Sequence, residues 1–209
     1  MKISDLVIDR LPLYARALAA LESDGREVVS SQELAKTLNV SAAQIRKDFS
    51  YFGRFGKQGR GYNVRKLLDE LRRILGLNRQ WRLALIGAGR LGRAILGYEG
   101  FGPQGFRIVE AFDSDPAVIG TSLNGLTIRN TADLENVLAK NKVDVGIVAV
   151  PAEGAQRVID SLVRCGIRAI LNYAPIAAQV PAAVQVRRVD PVLALQGMTF
   201  YLKAATDNE

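Results

Sequence analysis

Six consecutive residues, Gly87-Ala88-Gly89-Arg90-Leu91-Gly92, carry the clearest chemical signature in the chain. An apolar run, Leu83 to Ile86, leads into them, and a second, Ile108 to Phe112, ends in Asp113, twenty-one positions after Gly92. Strand, glycine turn, helix, strand and acid form the dinucleotide-binding pattern. Gly87 permits the sharp turn, Gly89 lets backbone approach a pyrophosphate, and Gly92 lets the helix lie close to the sheet. Ala88, Arg90 and Leu91 complete the turn and open a helix whose N–H groups and positive dipole end suit phosphates. Asp113 is expected to hydrogen-bond the ribose hydroxyls, and a carboxylate there favours NAD over NADP. Asp115 competes for that role, and Asp113 also has the simpler reading of opening the turn Asp113-Ser114-Asp115-Pro116.

The remaining chemistry is sparse. The chain has no histidine, the commonest acid–base group and metal ligand, and Cys165 is its only cysteine. No disulfide framework and no metal site are expected, and Cys165 reads as a small core residue. A dehydrogenase needs a proton donor beside the substrate carbon. Tyr62 and Lys66 match a Tyr-x-x-x-Lys spacing but precede the glycine turn, and Tyr98 and Tyr173 lack a lysine at that offset. Little chain follows residue 175 to form a substrate domain. A sensor is therefore favoured over an enzyme, with an NAD-dependent oxidoreductase or a CoA-binding protein, each with a helical N-terminal extension, as the alternatives. Asp113 disfavours CoA, whose ribose carries a 3′-phosphate.

The positioning elements follow from periodicity. Trp81 and Leu83 to Ile86 read as the first strand of a rear domain, Ala132 to Leu138 as a helix, and the apolar run Val143 to Val150 as a buried parallel strand closed by Pro151. Ala152 to Cys165 is a helix with Gly166 beyond its end, and Ile167 to Leu171 a strand running into Asn172-Tyr173-Ala174-Pro175. Alternating strands and helices imply a doubly wound parallel sheet, whose ligands sit at the carboxyl ends of strands. That places Ala149, Val150, Pro151, Asn172, Tyr173 and Pro175 near the nicotinamide half of a dinucleotide. Val184 to Val189 is a last strand. Pro191 then opens a helix rich in large apolar residues, which either docks on its own sheet or is exchanged with a two-fold partner.

The front of the chain has a different character. Net charge is +7, and residues 1–80 hold 15 basic and 9 acidic residues against 13 and 12 in the remainder. Within 41–66, Arg46, Lys47, Arg54, Lys57, Arg60, Arg65 and Lys66 face only Asp48, a density that attracts phosphate backbones. Leu11, Tyr14, Ala15, Leu18 and Leu21 predict an amphipathic helix near 10–23, and Val28-Val29 a short strand. Ser30 with Glu33, and Ser41 with Gln44, are cap-and-acceptor signatures that open two further helices. The third helix buries Ile45, Phe49 and Phe52 and offers Gln44, Arg46, Lys47, Ser50 and Tyr51. This is a helix-turn-helix, with a small docking bundle as the alternative. Gly53 to Tyr62, with four glycines among basic residues, suits a β-hairpin wing. Val64, Leu67, Leu68, Leu71 and Leu75 resume a helix, and Gly76 to Gln80 is a polar boundary.

Domains are accordingly expected at 1–78, 79–190 and 191–209. The composition, 48% hydrophobic and 23% charged, is that of a globular protein. No run nears the ~18 apolar residues of a membrane span and the start lacks a signal-peptide core, so a cytoplasmic location is expected.

Together these residues resemble the Rex family of bacterial redox-sensing transcriptional repressors. The most specific match is Gln44-Ile45-Arg46-Lys47-Asp48-Phe49-Ser50-Tyr51-Phe52-Gly53 with Gly59-Arg60-Gly61-Tyr62. The glycine hexad, Phe112-Asp113-Ser114-Asp115-Pro116 and Asn172-Tyr173-Ala174-Pro175 match as well. The resemblance implies an α/β homodimer with an N-terminal winged helix-turn-helix domain, a doubly wound Rossmann domain and a swapped C-terminal helix. It implies that NADH binding releases double-stranded operator DNA while NAD+ permits binding. Ser41, Gln44, Arg46, Lys47, Ser50 and Tyr51 are the DNA-contact candidates on the third helix, with Arg54, Lys57 and Arg60 in the wing. Arg16, Tyr98 and Asp190 are candidates for relaying pocket occupancy, against the plainer reading that they are surface residues. An apolar floor from Val148 to Pro151 should prefer the neutral ring of NADH, since desolvating a charge is costly.

Arg46→Ala is expected to cost about 1–3 kcal/mol on operator DNA and to relax sequence choice, whereas Lys57→Ala weakens all sequences alike and flattens the salt dependence. Anisotropy titrations against operator and random duplexes check this; equal effects of both changes on both duplexes would refute the assignment.

Overall fold

The computed structural model describes residues 3–53, 55 and 61–206. It divides into two compact units, 1–79 and 80–209.

The first unit contains α1 (Asp5–Ser23), β1 (Val28–Val29), α2 (Ser31–Leu38), α3 (Ala42–Ser50), β2 (Tyr62–Asn63) and α4 (Val64–Ile74). Helix α1 starts at Asp5, earlier than the periodicity from Leu11 suggests, because Val7 extends the buried stripe of Leu11, Tyr14, Ala15 and Leu18. Helix α2 opens with a reciprocal capping box: the Glu33 N–H donates to Ser30 Oγ at 3.1 Å and the Ser30 N–H to Glu33 Oε2 at 2.8 Å. That backbone donor, with Arg26 beside it, holds the Glu33 carboxyl down to about 2. Asn39 leaves α2 in the left-handed region, φ 52°, so that three residues suffice to turn the chain into α3. Ser41 Oγ caps α3 through the Gln44 N–H at 3.0 Å. The reciprocal half of the expected box is missing, because the Gln44 side chain is engaged elsewhere. Strands β1 and β2 pair antiparallel, Val29 opposite Tyr62. The expected wing turn, with Arg54, Lys57 and Arg60, lies outside the described residues.

Between α1 and α3 lies a charged cluster that residue type alone does not reveal. Asp48 is fully buried. Its Oδ2 accepts from Arg10 Nε at 2.6 Å and Tyr14 Oη at 2.6 Å, and its Oδ1 from Arg10 Nη2 at 2.8 Å and Gln44 Nε2 at 2.6 Å. Burial alone would raise the Asp48 pKa; the hydrogen bonds from Arg10, Tyr14 and Gln44 outweigh it and hold the carboxyl below its ordinary range. Burial, then the bond to Asp48, pushes the Tyr14 hydroxyl up. The Tyr14 ring meets Phe49 edge to face at 5.3 Å, and Phe49 meets Tyr62 at 5.4 Å, so aromatic packing continues from the cluster to β2.

The second unit is a seven-stranded sheet ordered β5-β6-β4-β3-β7-β8-β9. Its strands are β3 (Trp81–Ile86), β4 (Phe106–Asp113), β5 (Ser122–Leu123), β6 (Leu126–Asn130), β7 (Val145–Val148), β8 (Ala169–Asn172) and β9 (Gln185–Arg188). All neighbours are parallel except β5, which forms an antiparallel hairpin with β6. The six parallel strands have the 3-2-1-4-5-6 order of the doubly wound nucleotide fold, with its crossover point between β3 and β7. Helices α5 (Arg90–Leu96), α6 (Leu134–Lys140) and α7 (Ala152–Arg164) connect them. The β5–β6 hairpin is an addition to the sequence reading. Asn124 at φ 49° and Gly125 at φ 76° make its tight turn, and Asn124 Nδ2 donates to Leu96 O at 2.8 Å, satisfying the end of α5. Helix α8 (Pro191–Thr206) is exposed at every described side chain, Phe200 to 71% and Tyr201 to 74%. Docking on its own sheet, one of the two expected fates of this helix, is thereby excluded.

Because the Asp48 pKa is lower folded than unfolded, the stability it adds is complete above its ordinary value near 4 and is lost as pH falls through the depressed one. Asp48→Asn should cost about 3 kcal/mol at pH 7 and shrink the acid limb of the stability profile. Chemical denaturation between pH 7 and 3 checks this; an unchanged acid limb in the variant would detach Asp48 from it.

Candidate functional site

At the carboxyl ends of β3, β4 and β7 the second unit opens a cleft of about 750 Å³. Gly87 and Gly89 line it from the glycine turn, Asp113, Ser114, Asp115 and Val118 from the end of β4, and Ala149, Val150 and Pro151 from the end of β7. Gly87 has φ +99°, and a Cβ there would lie 2.4 Å from Ala149 O; a Cβ on Gly92 would lie 1.9 Å from Gly87 O. These two glycines close the turn between helix and strands. Gly89 differs: a Cβ there meets nothing within 4 Å, so its backbone borders open space where a ligand can approach.

Asp113 does two things at once. Its Oδ2 accepts from the Ala88 N–H at 2.6 Å and its Oδ1 from the Asp115 N–H at 2.9 Å. It thus ties β4 to the glycine turn and also opens the 113–115 turn. A carboxylate has about four acceptor sites, so capacity remains for ribose hydroxyls. The Ala88 N–H, by contrast, is engaged by Asp113 rather than offered to a phosphate. Asp115 Oδ1 accepts from the Ala117 N–H at 2.9 Å and also lines the cleft.

Other expected cofactor residues stand back from the cleft. Gly92 is buried in the turn, and Arg90 and Leu91 are exposed on α5 outside the lining. Asn172 is fully buried, with Oδ1 accepting from the Ala174 N–H and Nδ2 donating to Ala174 O, each at 3.0 Å. These bonds stabilise its own turn. Tyr173 is half-buried and Pro175 exposed, and neither lines the cleft. Conversely, the far wall includes Thr131, Leu134, Glu153, Arg157, Val158 and Ser161, which motif reasoning missed. The recoverable signal was topological: ligands sit beyond the carboxyl ends of such strands, and Thr131 and Leu134 follow β6 while Glu153 to Ser161 follow β7.

On the first unit, Arg46, Lys47 and Ser50 are exposed on one side of α3, while Ile45, Asp48 and Phe49 are buried on the other. Arg46 Nη1 donates to Ser31 Oγ at 3.0 Å, which orients the guanidinium across the turn from α2. Ser50 Oγ donates to Lys47 O at 2.7 Å, Ser41 is the N-cap and Tyr51 the half-buried C-cap. Gln44 is only partly available, since its amide nitrogen bonds Asp48. Among the relay candidates, Arg16 is exposed on α1. Tyr98 is 61% exposed just beyond α5, its ring edge-on to Phe101 at 5.1 Å. Asp190 Oδ1 accepts from the Val192 N–H at 3.0 Å and caps α8. Cys165 is half-buried against the core, and burial raises its thiol pKa, consistent with packing.

Residues 2–50 match the family model of a putative DNA-binding protein N-terminus, and residues 78–176 that of a CoA binding domain. The chain is 57% identical over 198 residues to a redox-sensing transcriptional repressor Rex of Chloroflexus aurantiacus, covering 95% of this chain and 93% of that protein. It is also similar to the crystal structure of RSP in complex with β-NAD+ and operator DNA, with TM-score 0.93 and 38% identity over 99% of this chain and 95% of that one. RSP in complex with β-NADH gives TM-score 0.89 and 36% identity, covering 99% of this chain and 97% of that one. With such identity along nearly the full length of both sequences, the protein belongs to the Rex family of redox-sensing transcriptional repressors.

Proposed function

We propose that this chain represses transcription as a homodimer, with α3 reading double-stranded operator DNA and the cleft binding NADH or NAD+. The observation that carries this is one chain holding both parts: a doubly capped helix-turn-helix with a basic outer face, and an open glycine turn at the crossover of a doubly wound sheet. It is a regulator and not an enzyme. The cytoplasm, where DNA and nicotinamide pools meet, is its place of action. RSP, to which the chain is similar over nearly its whole length, has been solved with β-NAD+ and operator DNA together and separately with β-NADH.

The residues fit a dinucleotide. Gly89 leaves room for the pyrophosphate, Asp113 accepts from ribose, and Asp113, Asp115 and Glu153 make the cleft acidic against one cation among the described lining residues, Arg157. Such a lining repels an additional ribose phosphate, which disfavours NADP and also CoA despite the match to CoA-binding domains. Ala149, Val150 and Pro151 give the β7 side an apolar surface over fully buried Val148. Oxidised nicotinamide is cationic and reduced nicotinamide neutral, so an apolar wall favours the reduced form. NADH then selects a dimer arrangement in which the two α3 helices no longer match successive major grooves. The apolar α8 helices are the natural dimer contact, exchanged between copies.

A ~100-fold release of operator requires about 2.7 kcal/mol of coupling, and linkage makes it reciprocal. Calorimetric titration of NADH should therefore show ~100-fold weaker binding in the presence of operator. Unchanged NADH affinity would remove the mechanism, and competition by CoA at equal concentration would redirect the cleft to another nucleotide.

Gly89→Val should cost only the loss of a good N-cap residue, because a Cβ there meets no neighbour, yet abolish NADH binding. Gly92→Ala should instead cost about 1–3 kcal/mol of stability through its clash with the Gly87 carbonyl. Thermal denaturation paired with NADH fluorescence separates the two; equal NADH affinity in Gly89→Val and the unaltered protein would move the ligand away from the turn.

A further inference from the structure

Gln44 occupies a border position. It is the third residue of α3, in the first turn, the part of a recognition helix that meets base edges. At about 100° per residue it lies between buried Asp48 and exposed Lys47 on the helix circumference. It is half-buried, while Arg46, Lys47 and Ser50 beyond it are exposed. Its Nε2 donates to Asp48 Oδ1 at 2.6 Å.

That bond has only one polarity. An ionised carboxylate accepts and cannot donate, so the amide must turn its nitrogen inward and not its oxygen. The ionised form is secured by Arg10 and Tyr14, which donate to the same carboxylate from α1. No buried side-chain nitrogen or oxygen among the described residues lacks a hydrogen-bond partner, so the Gln44 carbonyl is satisfied by exposure to solvent. A glutamine free to use both amide atoms pairs with adenine through N6 and N7 together. The Gln44 nitrogen carries two hydrogens and Asp48 takes one, which turns the carbonyl outward as an acceptor with the second N–H beside it. An acceptor is repelled by phosphate oxygens, which leaves base edges as its partners. In the major groove the only base-edge donors are the exocyclic amino groups of adenine and cytosine.

We propose that Asp48 is a positioning residue for DNA readout: it fixes the Gln44 amide so that Gln44 reads an exocyclic amino group, adenine N6 or cytosine N4, at one base pair of each half-site. This rests on the reading of α3 as the recognition helix. Gln44 thereby acts as an acceptor beside the donors Arg46 and Lys47, and α1 takes part in base choice without touching DNA.

The test uses the full-length protein and a duplex that it selects from a random pool. Each adenine is replaced in turn by 2′-deoxynebularine, which lacks the amino group. Each cytosine is replaced by pyrimidin-2-one. At one position per half-site, loss of the amino group should weaken binding about tenfold, and that loss should vanish in Gln44→Ala. Which analogue responds distinguishes adenine from cytosine. Asp48→Asn supplies the readout that a purely structural role would not move. Arg10 donates to both oxygens, so an amide at position 48 loses one of these bonds and no longer holds the Gln44 amide in one orientation. Preference for the amino group should then be lost at that base pair alone, whereas a purely structural role would weaken every base pair alike. If Asp48→Asn fails to fold, the analogue scan with Gln44→Ala still decides. An amino-group loss that costs the same in Gln44→Ala, or preference at that base pair unchanged in Asp48→Asn, would overturn the proposal. A protein that selects no sequence over random DNA would remove the recognition-helix reading along with it.

Discussion

Each functional surface of this protein hangs on a carboxylate that accepts from donors on a second element. Asp113 at the end of β4 holds the Ala88 N–H of the glycine turn at 2.6 Å, and Asp48 on α3 holds Arg10 and Tyr14 of α1. The rest depends on these anchors because glycine turns and short helices have little stiffness of their own. Helix α3 is nine residues long, below the ~12–15 at which isolated helices become even marginal in water. Its direction must come from outside it. Asp48 supplies that in a form hydrophobic contact cannot, since three donors of α1 converging on two oxygens fix rotation as well as distance.

A buried ion pair is an expensive device. Replacing such a pair with apolar residues is often neutral or stabilising, so stability alone does not account for its use. Specificity of arrangement does. The same cluster that orients α3 also removes a donor from its outer edge. The second unit uses the same economy: Asp113 closes the turn, organises the residues after β4 and still faces the cleft.

Much of this was legible in order of how local the signal is. The glycine hexad, its flanking strands and Asp113 could be read because every part lies within one βαβ segment. The Ser30 and Ser41 caps could be read because their partners are three residues away. Asp48 looked like the lone acid in a basic stretch, since its partner Arg10 is 38 residues earlier. Its place on the same helical arc as Ile45 and Phe49 was the available hint. Asn172 sits at a strand end, where ligands are usual, but its amide is spent on Ala174. The β5–β6 hairpin went unread, although Asn124-Gly125 is a turn signal, because the strand character around it is weak. The far wall of the cleft is made by α7 and the segment before α6, whose side chains meet only in the folded sheet.

Helix α8 closes the argument from the opposite direction, since it is over-supplied with apolar surface. Val192, Leu195, Met198, Phe200, Tyr201 and Leu202 are each at least 56% exposed and fall on more than one face. A helix apolar all round belongs in a buried setting, and this one has no such cover from its own chain. In the proposed homodimer a second copy would supply it with no new sequence, because a two-fold interface uses the same surface twice. That two-fold axis would give two α3 helices for a palindromic site and two clefts for the ligand. Coupling then needs no continuous route of residues from cleft to DNA. It needs only that the paired arrangement have two forms, one preferred by each ligand, so that whichever binds first sets the terms for the other.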